Sequence, residues 1–361
     1  MPEETIICSG IIERIGFDVT PILNHKIGLE LLANQLLNDD TGIIKSADAI
    51  DIVGHRVVHG GKNFSDTAEI TKTVKEKIRV LSSLAPLHNP ANLEGIEVAE
   101  AIFPNAKQVA VFDTAFHQTI PEYAYKYAIP KEFSEKHHIR LYGFHGTSHK
   151  YVSEKAIEYL GKEQSKIISI HLGNGCSMTA IKDGKSIDHS LGFSPVNGLI
   201  MGTRSGDIDQ SIIFHLAEKF NFSFDEINSI LQKKSGMLGL TGFSDLRDIL
   251  FEAEKGNKNC QLALQMNAYR IKKYIGSYAA ILNGLDAIVF TAGIGENSSF
   301  MRQMVCEDLN FLGIELDLDE NQKRSNNLRA INTKNSKVKI LVIPTNEELE
   351  IAKQSAKLFE N

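Results

Sequence analysis

Two stretches decide the fold: KIISIHLGNG (166–175) and DAIVFTAGIG (286–295). Each is an apolar run of strand length, rich in Ile or Val, that ends in a glycine turn. Without Cβ atoms, such a turn can bring several backbone N–H groups close to an anion, so two turns after two strands point to nucleotide phosphates. The standard fingerprints do not fit. Neither G-x-G is followed by the third glycine of a dinucleotide-binding turn. The Gly184-Lys185-Ser186 run has Thr179 where a phosphate-binding loop needs its first glycine, and it lies in a hairpin.

Outward from these stretches, apolar runs alternate with longer amphipathic ones, the pattern of an α/β protein. Strands are predicted over 49–58, 108–112, 166–172, 286–291 and 337–343, and helices over 71–84, 147–160, 225–234, 259–283, 298–309 and 347–359. The Asp183-Gly184 pair predicts a hairpin into residues 185–190, so that part of the sheet should be antiparallel. Thr345-Asn346-Glu347-Glu348 reads as a capping box for the last helix.

With 361 residues, 42% of them hydrophobic, the chain has material for two packed cores. Net charge is −6 with the charges dispersed, so nucleic acid and anionic membranes are poor partners. An acidic start and the lack of a long apolar run read as cytoplasmic. The four cysteines are scattered, which suggests buried free thiols rather than disulfides or a zinc site.

Ten of the twelve histidines fall between His55 and His189. The i, i+4 pairs His55/His59 and His145/His149 resemble helical zinc pairs, but the first lies in a strand and the second straddles Gly146-Thr147, a turn and helix cap, so shared ligation is not expected. Arg56 in a Val/Ile strand and Arg204 between glycines suit bidentate recognition of a carboxylate or phosphate. Asp113 closes the strand QVAVF, where open α/β sheets place their chemistry. Glu347 opens a helix after a strand, a place for a metal-ligating carboxylate or simply a first-turn glutamate.

Taken together, VGHRVVHGG (53–61), APLHNP (85–90), VFDTAFHQT (111–119), YGFHGTSH (142–149), HLGNG (171–175), MGTRSGDID (201–209), FTAGIGENS (290–298) and PTNEE (344–348) closely resemble the acetate kinase family, in order and spacing. The resemblance implies an α/β fold of the actin, sugar kinase and Hsp70 (ribonuclease H-like) type. Two related domains are expected, residues 1–115 plus 346–361 and residues 116–345. It implies phosphoryl transfer between ATP and acetate, giving acetyl phosphate and ADP, with Mg²⁺ or Mn²⁺, in a homodimer. Propionate kinase belongs to the same family, and a non-catalytic nucleotide-binding relative is the other alternative.

Residue by residue, Asp113, His145 and Arg204 look catalytic, with Arg56, Val58, Leu87 and Pro195 around the substrate. His171, Leu172, Gly173, Asn174 and Gly175 look like the first ATP turn, Gly293, Ile294, Gly295, Glu296 and Asn297 the second. Asp245, Leu246 and Arg247 look adenosine-proximal, and Glu347 metal-ligating. An acceptor carboxylate is already ionised at neutral pH, so Asp113 is expected to orient other groups rather than to act as a base. The family's opening strand and Asn-x-Gly-Ser-Ser-Ser turn do not occur before Ile12, where the resemblance begins, and that absence is expected to weaken phosphate binding.

Overall fold

The computed structural model describes residues 4–12, 24–38, 40, 42–86 and 88–360. The chain forms two compact units, residues 1–115 with 346–361 and residues 116–345.

In the first unit, β1 (Ile52–Val57) runs parallel to β3 (Lys107–Phe112), and β2 (Ala68–Glu69) pairs antiparallel with the other edge of β3. The helices Lys72–Leu81 and Asn89–Ile102 cover it, and Val57, Phe64, Ile78, Leu93, Ile96 and Phe112 form the core. The helix Glu347–Lys357 lies against β1, where a side chain on Gly54 would come within 2.6 Å of Ile351. Among the described residues no strand precedes Ile52.

The second unit has a six-stranded sheet in the order β6 (Lys185–His189), β5 (Cys176–Lys182), β4 (Lys166–Leu172), β7 (Ala287–Thr291), β9 (Lys339–Val342), β8 (Arg329–Ala330). β4, β7 and β9 are parallel, while β5, β6 and β8 are antiparallel to their neighbours. Asp183 and Gly184 both take positive φ (52° and 76°), the primed turn that matches the twist of β5 and β6. In its core Ile167 of β4, Ile181 of β5, Val289 of β7 and Leu341 of β9 pack on Val152 and Ala156 of the helix Gly146–Leu160.

Three expectations need correction. The helix expected over 298–309 is shorter: Ser298, which also ends the short helix Ala292–Asn297, caps Ser299–Cys306 by accepting from Met301 N, and the helix stops at Cys306. The cap of the last helix is Asn346, which accepts from Leu349 N, and Thr345 instead donates to Ser148 Oγ. Gly293-Ile294-Gly295 is part of that short helix rather than an open turn.

Candidate active site

β4 and β7 are adjacent and parallel, with His171 beside Thr291, so both glycine segments leave the same end of the sheet. The first is a tight hairpin turn in which Gly173 N donates to Gly175 O. The second opens at Ala292, whose φ of 64° swings the chain from strand into helix. Between them, within the second unit, lies a cavity of about 750 Å³. Leu172, Gly173, Asn174, Gly293, Ile294 and Asn297 line one part of it, and Asp245, Leu246 and Arg247 another. Ile200, Met237 and Ile249 add an apolar wall.

Asp245 caps the helix Leu246–Glu254 by accepting from Arg247 N, and its carboxylate also receives Nε and Nη2 of Arg247. Those bonds hold the Asp245 carboxyl down at about 2. Asn297 Nδ2 donates to Gly293 O, and Glu296 Oε1 accepts from Thr345 N. A side chain on Gly202 would meet Asn174 Oδ1 at 2.3 Å, so glycine there keeps the first turn in place.

At the other side of the first turn, a Cβ on Gly175 would sit 3.4 Å from His145 Nε2 and 3.8 Å from Arg204 Nη1. The imidazole and the guanidinium therefore share one glycine as a neighbour. His145 caps the helix Gly146–Leu160 with φ 55°, the left-handed conformation that side chains rarely adopt. Arg204 Nη1 donates to Pro195 O, and burial lowers the guanidinium's affinity for its proton.

His171 stacks on His145 at 4.4 Å and bonds through Nδ1 to Ser148 Oγ. His145 and His149 converge after all, both reaching Ser177 Oγ, at 2.8 and 2.7 Å. His145 is the cap residue and His149 the fourth residue of the helix, one turn apart. His55 bonds to Gln108, and His59 Nδ1 accepts from Gly61 N.

The first unit holds a second constellation. Asp113 at the end of β3 is buried, and its carboxylate accepts Arg56 Nη2 at 2.7 Å and Nε at 3.0 Å. Asp113 above all raises the Arg56 guanidinium's affinity for its proton. Glu347 Oε2 lies 3.7 Å from Arg56 Nε and is buried with no hydrogen bond, and burial pushes its carboxyl up. An orphaned carboxylate oxygen near a second carboxylate is a hard donor set of the kind that holds Mg²⁺ together with nucleotide phosphates. Val58 is buried and its N–H bonds Asn92 Oδ1, whereas Leu87 lies outside the described residues.

Two features escaped the sequence. Arg302 is fully buried and its guanidinium donates to Gly295 O, Glu296 O, Asn321 O and Asn321 Oδ1, bracing the second glycine segment. Arg324 lines the cavity without a hydrogen bond or ion pair among the described residues.

Residues 6–353 match the acetokinase family. Over its whole length the chain is 64% identical to an acetate kinase of Flavobacterium johnsoniae, covering 95% of that protein. Among solved structures it superposes on the Porphyromonas gingivalis acetate kinase with a TM-score of 0.90 at 46% identity, covering 94% of this chain and 86% of that one. A propionate kinase from Francisella tularensis gives 0.87, also at 46% identity, over 92% and 84%. The fold class is accordingly α/β of the actin and sugar kinase type, and the chain belongs to the acetokinase family.

Proposed function

We propose that this chain catalyses reversible transfer of a phosphoryl group between ATP and acetate, giving acetyl phosphate and ADP. The observation that carries the reading is His145 and Arg204 side by side on Gly175, at the glycine turn of a nucleotide-sized cavity. Phosphoryl transfer develops negative charge on equatorial oxygens and needs positioning and cationic stabilisation more than acid–base chemistry. A hydrogen-bonding imidazole and a guanidinium at the phosphate turn supply both.

The acceptor carboxylate attacks as it stands, since it is ionised at neutral pH. Arg56, held in a fork by Asp113, is free through Nη1 to orient that carboxylate. Asp245 and Arg247 border the part of the cavity left for the nucleoside, and Asn174 and Asn297 the part left for its phosphates. Glu347, whose Oε2 is buried without a hydrogen bond, would hold Mg²⁺ or Mn²⁺, which would supply charge neutralisation on the phosphates when bound.

Propionate is the second acceptor, favoured by the equal identity to a propionate kinase. One methylene in an apolar pocket is worth only about 1–3 kcal/mol, so a preference rather than an exclusion is expected. Association as a homodimer is supported by the helix Ser211–Phe220, which has no buried residue and exposes Ile212, Phe214 and Phe220. Three buried free thiols and a nucleotide co-substrate suit the cytoplasm.

The test is acyl phosphate formation from ATP with acetate, propionate or butyrate, alongside nucleotide binding by calorimetry. Turnover with acetate ahead of butyrate is expected. Nucleotide binding without acyl phosphate would make the chain a non-catalytic relative and sink the proposal.

A further inference from the structure

Behind His145 lies a buried chain of side chains with no place in the chemistry above. His149 is fully buried in the helix Gly146–Leu160, with Nε2 at 2.7 Å from Ser177 Oγ and Nδ1 at 2.6 Å from Ser169 Oγ. Ser177 Oγ in turn meets His145 Nδ1 at 2.8 Å. Ser169 and Ser177 are themselves buried, on β4 and β5. Four residues thus form one line, Ser169, His149, Ser177, His145.

The protons in that line can point in only two ways. Ser177 has one hydroxyl proton and two imidazole nitrogens to serve, so one ring receives it and the other must donate to the serine oxygen. If Ser177 donates to His149, then His149 Nδ1 carries the other proton of its neutral ring and donates to Ser169. Ser169 has no other hydrogen-bond partner among the described residues, so its own proton would be buried without an acceptor. Native interiors avoid that arrangement. With the opposite polarity the three buried members are all satisfied: Ser169 donates to His149 Nδ1, His149 Nε2 donates to Ser177, and Ser177 donates to His145 Nδ1.

His149 stays neutral in either case, since burial, with His117 and His171 adding, drives its proton affinity well below the ordinary imidazole range. Its ring is faced by His117 at 5.9 Å, His171 at 6.0 Å and His189 at 5.2 Å. The His145 ring is faced by His171 and, across Gly175, by Arg204.

We infer that Ser169, His149 and Ser177 are positioning residues that hold His145 as the neutral imidazole with its proton on Nε2, the nitrogen turned toward the glycine turn. His145 then meets the transferred phosphoryl group as a fixed hydrogen-bond donor, not as a cation that must be charged first. Selecting the tautomer is the task of Ser169, three side chains away from the reacting atoms. This inference rests on the role proposed for His145 in phosphoryl transfer.

The experiment is a long-range ¹H–¹⁵N correlation spectrum of protein labelled at histidine, with His145 assigned through H145Q. A bare and a protonated ring nitrogen resonate far apart, so the tautomer is read directly. The expected spectrum at neutral pH has His145 and His149 both protonated on Nε2 and bare on Nδ1. In S169A the Nδ1-protonated form of His145 should appear and kcat should fall about tenfold with both KM values unchanged. S169T, which keeps the hydroxyl, should restore both. A wild-type His145 that is protonated on Nδ1, or a tautomer that S169A leaves unmoved, overturns the inference without needing any variant to be active. Full turnover by H145A would instead overturn the role of His145 while leaving the spectrum standing.

Discussion

Asp113 holds Arg56 by two points, Oδ2 accepting from Nη2 at 2.7 Å and Oδ1 from Nε at 3.0 Å. The aspartate is buried while the arginine side chain is 42% exposed, so the carboxylate is placed to aim the guanidinium. Asp113→Asn should lower activity by about 10²–10³, the cost of misplacing one charge-stabilising donor. The acid limb of the pH profile should stay where it is. A limb that moves with this substitution would make Asp113 a base.

With the metal role proposed for Glu347, the acid limb is expected to follow that residue instead. Burial raises its carboxyl above the usual glutamate value of 4.5, against the pull of Arg56. Only the ionised form ligates a metal, so apparent metal affinity should fall as pH drops through that raised value. For stability the sign is opposite. A carboxyl whose folded value is raised stabilises the fold below its unfolded value and loses that contribution as pH rises. Glu347→Gln should therefore melt no lower than the parent at neutral pH, yet need about 10–100 times more metal for half-maximal rate. Calorimetry and a metal titration check the two halves separately.

Gly202→Ala puts a Cβ 2.3 Å from Asn174 Oδ1. The short amide must swing out of the first phosphate turn, so nucleotide KM should rise about tenfold while the melting temperature changes little. An unchanged KM with a collapsed melting temperature would show the contact to be structural only.

Arg302→Ala leaves four acceptors, among them Gly295 O and Glu296 O, without their donor in a fully buried place. A loss of about 3 kcal/mol or more is expected. For a unit of this size that is roughly 6–12 °C in melting temperature. Nucleotide binding should weaken with it, because the bonds it breaks brace the segment that lines the cavity. Thermal melts with and without ATP measure both.

The sheet of the second unit was readable because its strands are short apolar runs with turn residues between them, and Lys166–Leu172 appears with the boundaries its sequence suggests. The hairpin was readable for a local reason as well, since few dipeptides other than Asp-Gly accept two positive φ angles. Local signals misled where two compete. Thr345 and Asn346 are both good helix caps, and only the tertiary bond from Thr345 to Ser148 decides that Asn346 takes the role. Ser298 looks like an ordinary helical serine until its hydroxyl is seen capping a second helix.

The geometry of the candidate site was legible where a residue type is out of place, such as Arg56 in a Val/Ile strand, which the structure brings onto Asp113. Arg302, by contrast, sits in an amphipathic run where an exposed arginine is the ordinary reading. Its partners lie 6 to 19 residues away and are backbone carbonyls and one asparagine side chain, which no side-chain pattern marks. The histidine line was hidden for the same reason. Ser169 and Ser177 are unremarkable strand residues until β4 and β5 pair, and only then does an imidazole on the neighbouring helix reach both.

His145 occupies a backbone position with φ 55°, where glycine would be relaxed and a side chain carries roughly 1–3 kcal/mol of strain. With the catalytic role proposed for His145, selection for thermal persistence and selection for turnover would pull in opposite directions at one codon. A library screened only for resistance to heat should accumulate Gly or Asn at position 145, and its most durable clones should be those that have given up catalysis. Screens for a hardier version of this protein have to score phosphoryl transfer in every round, because the fold itself rewards losing it.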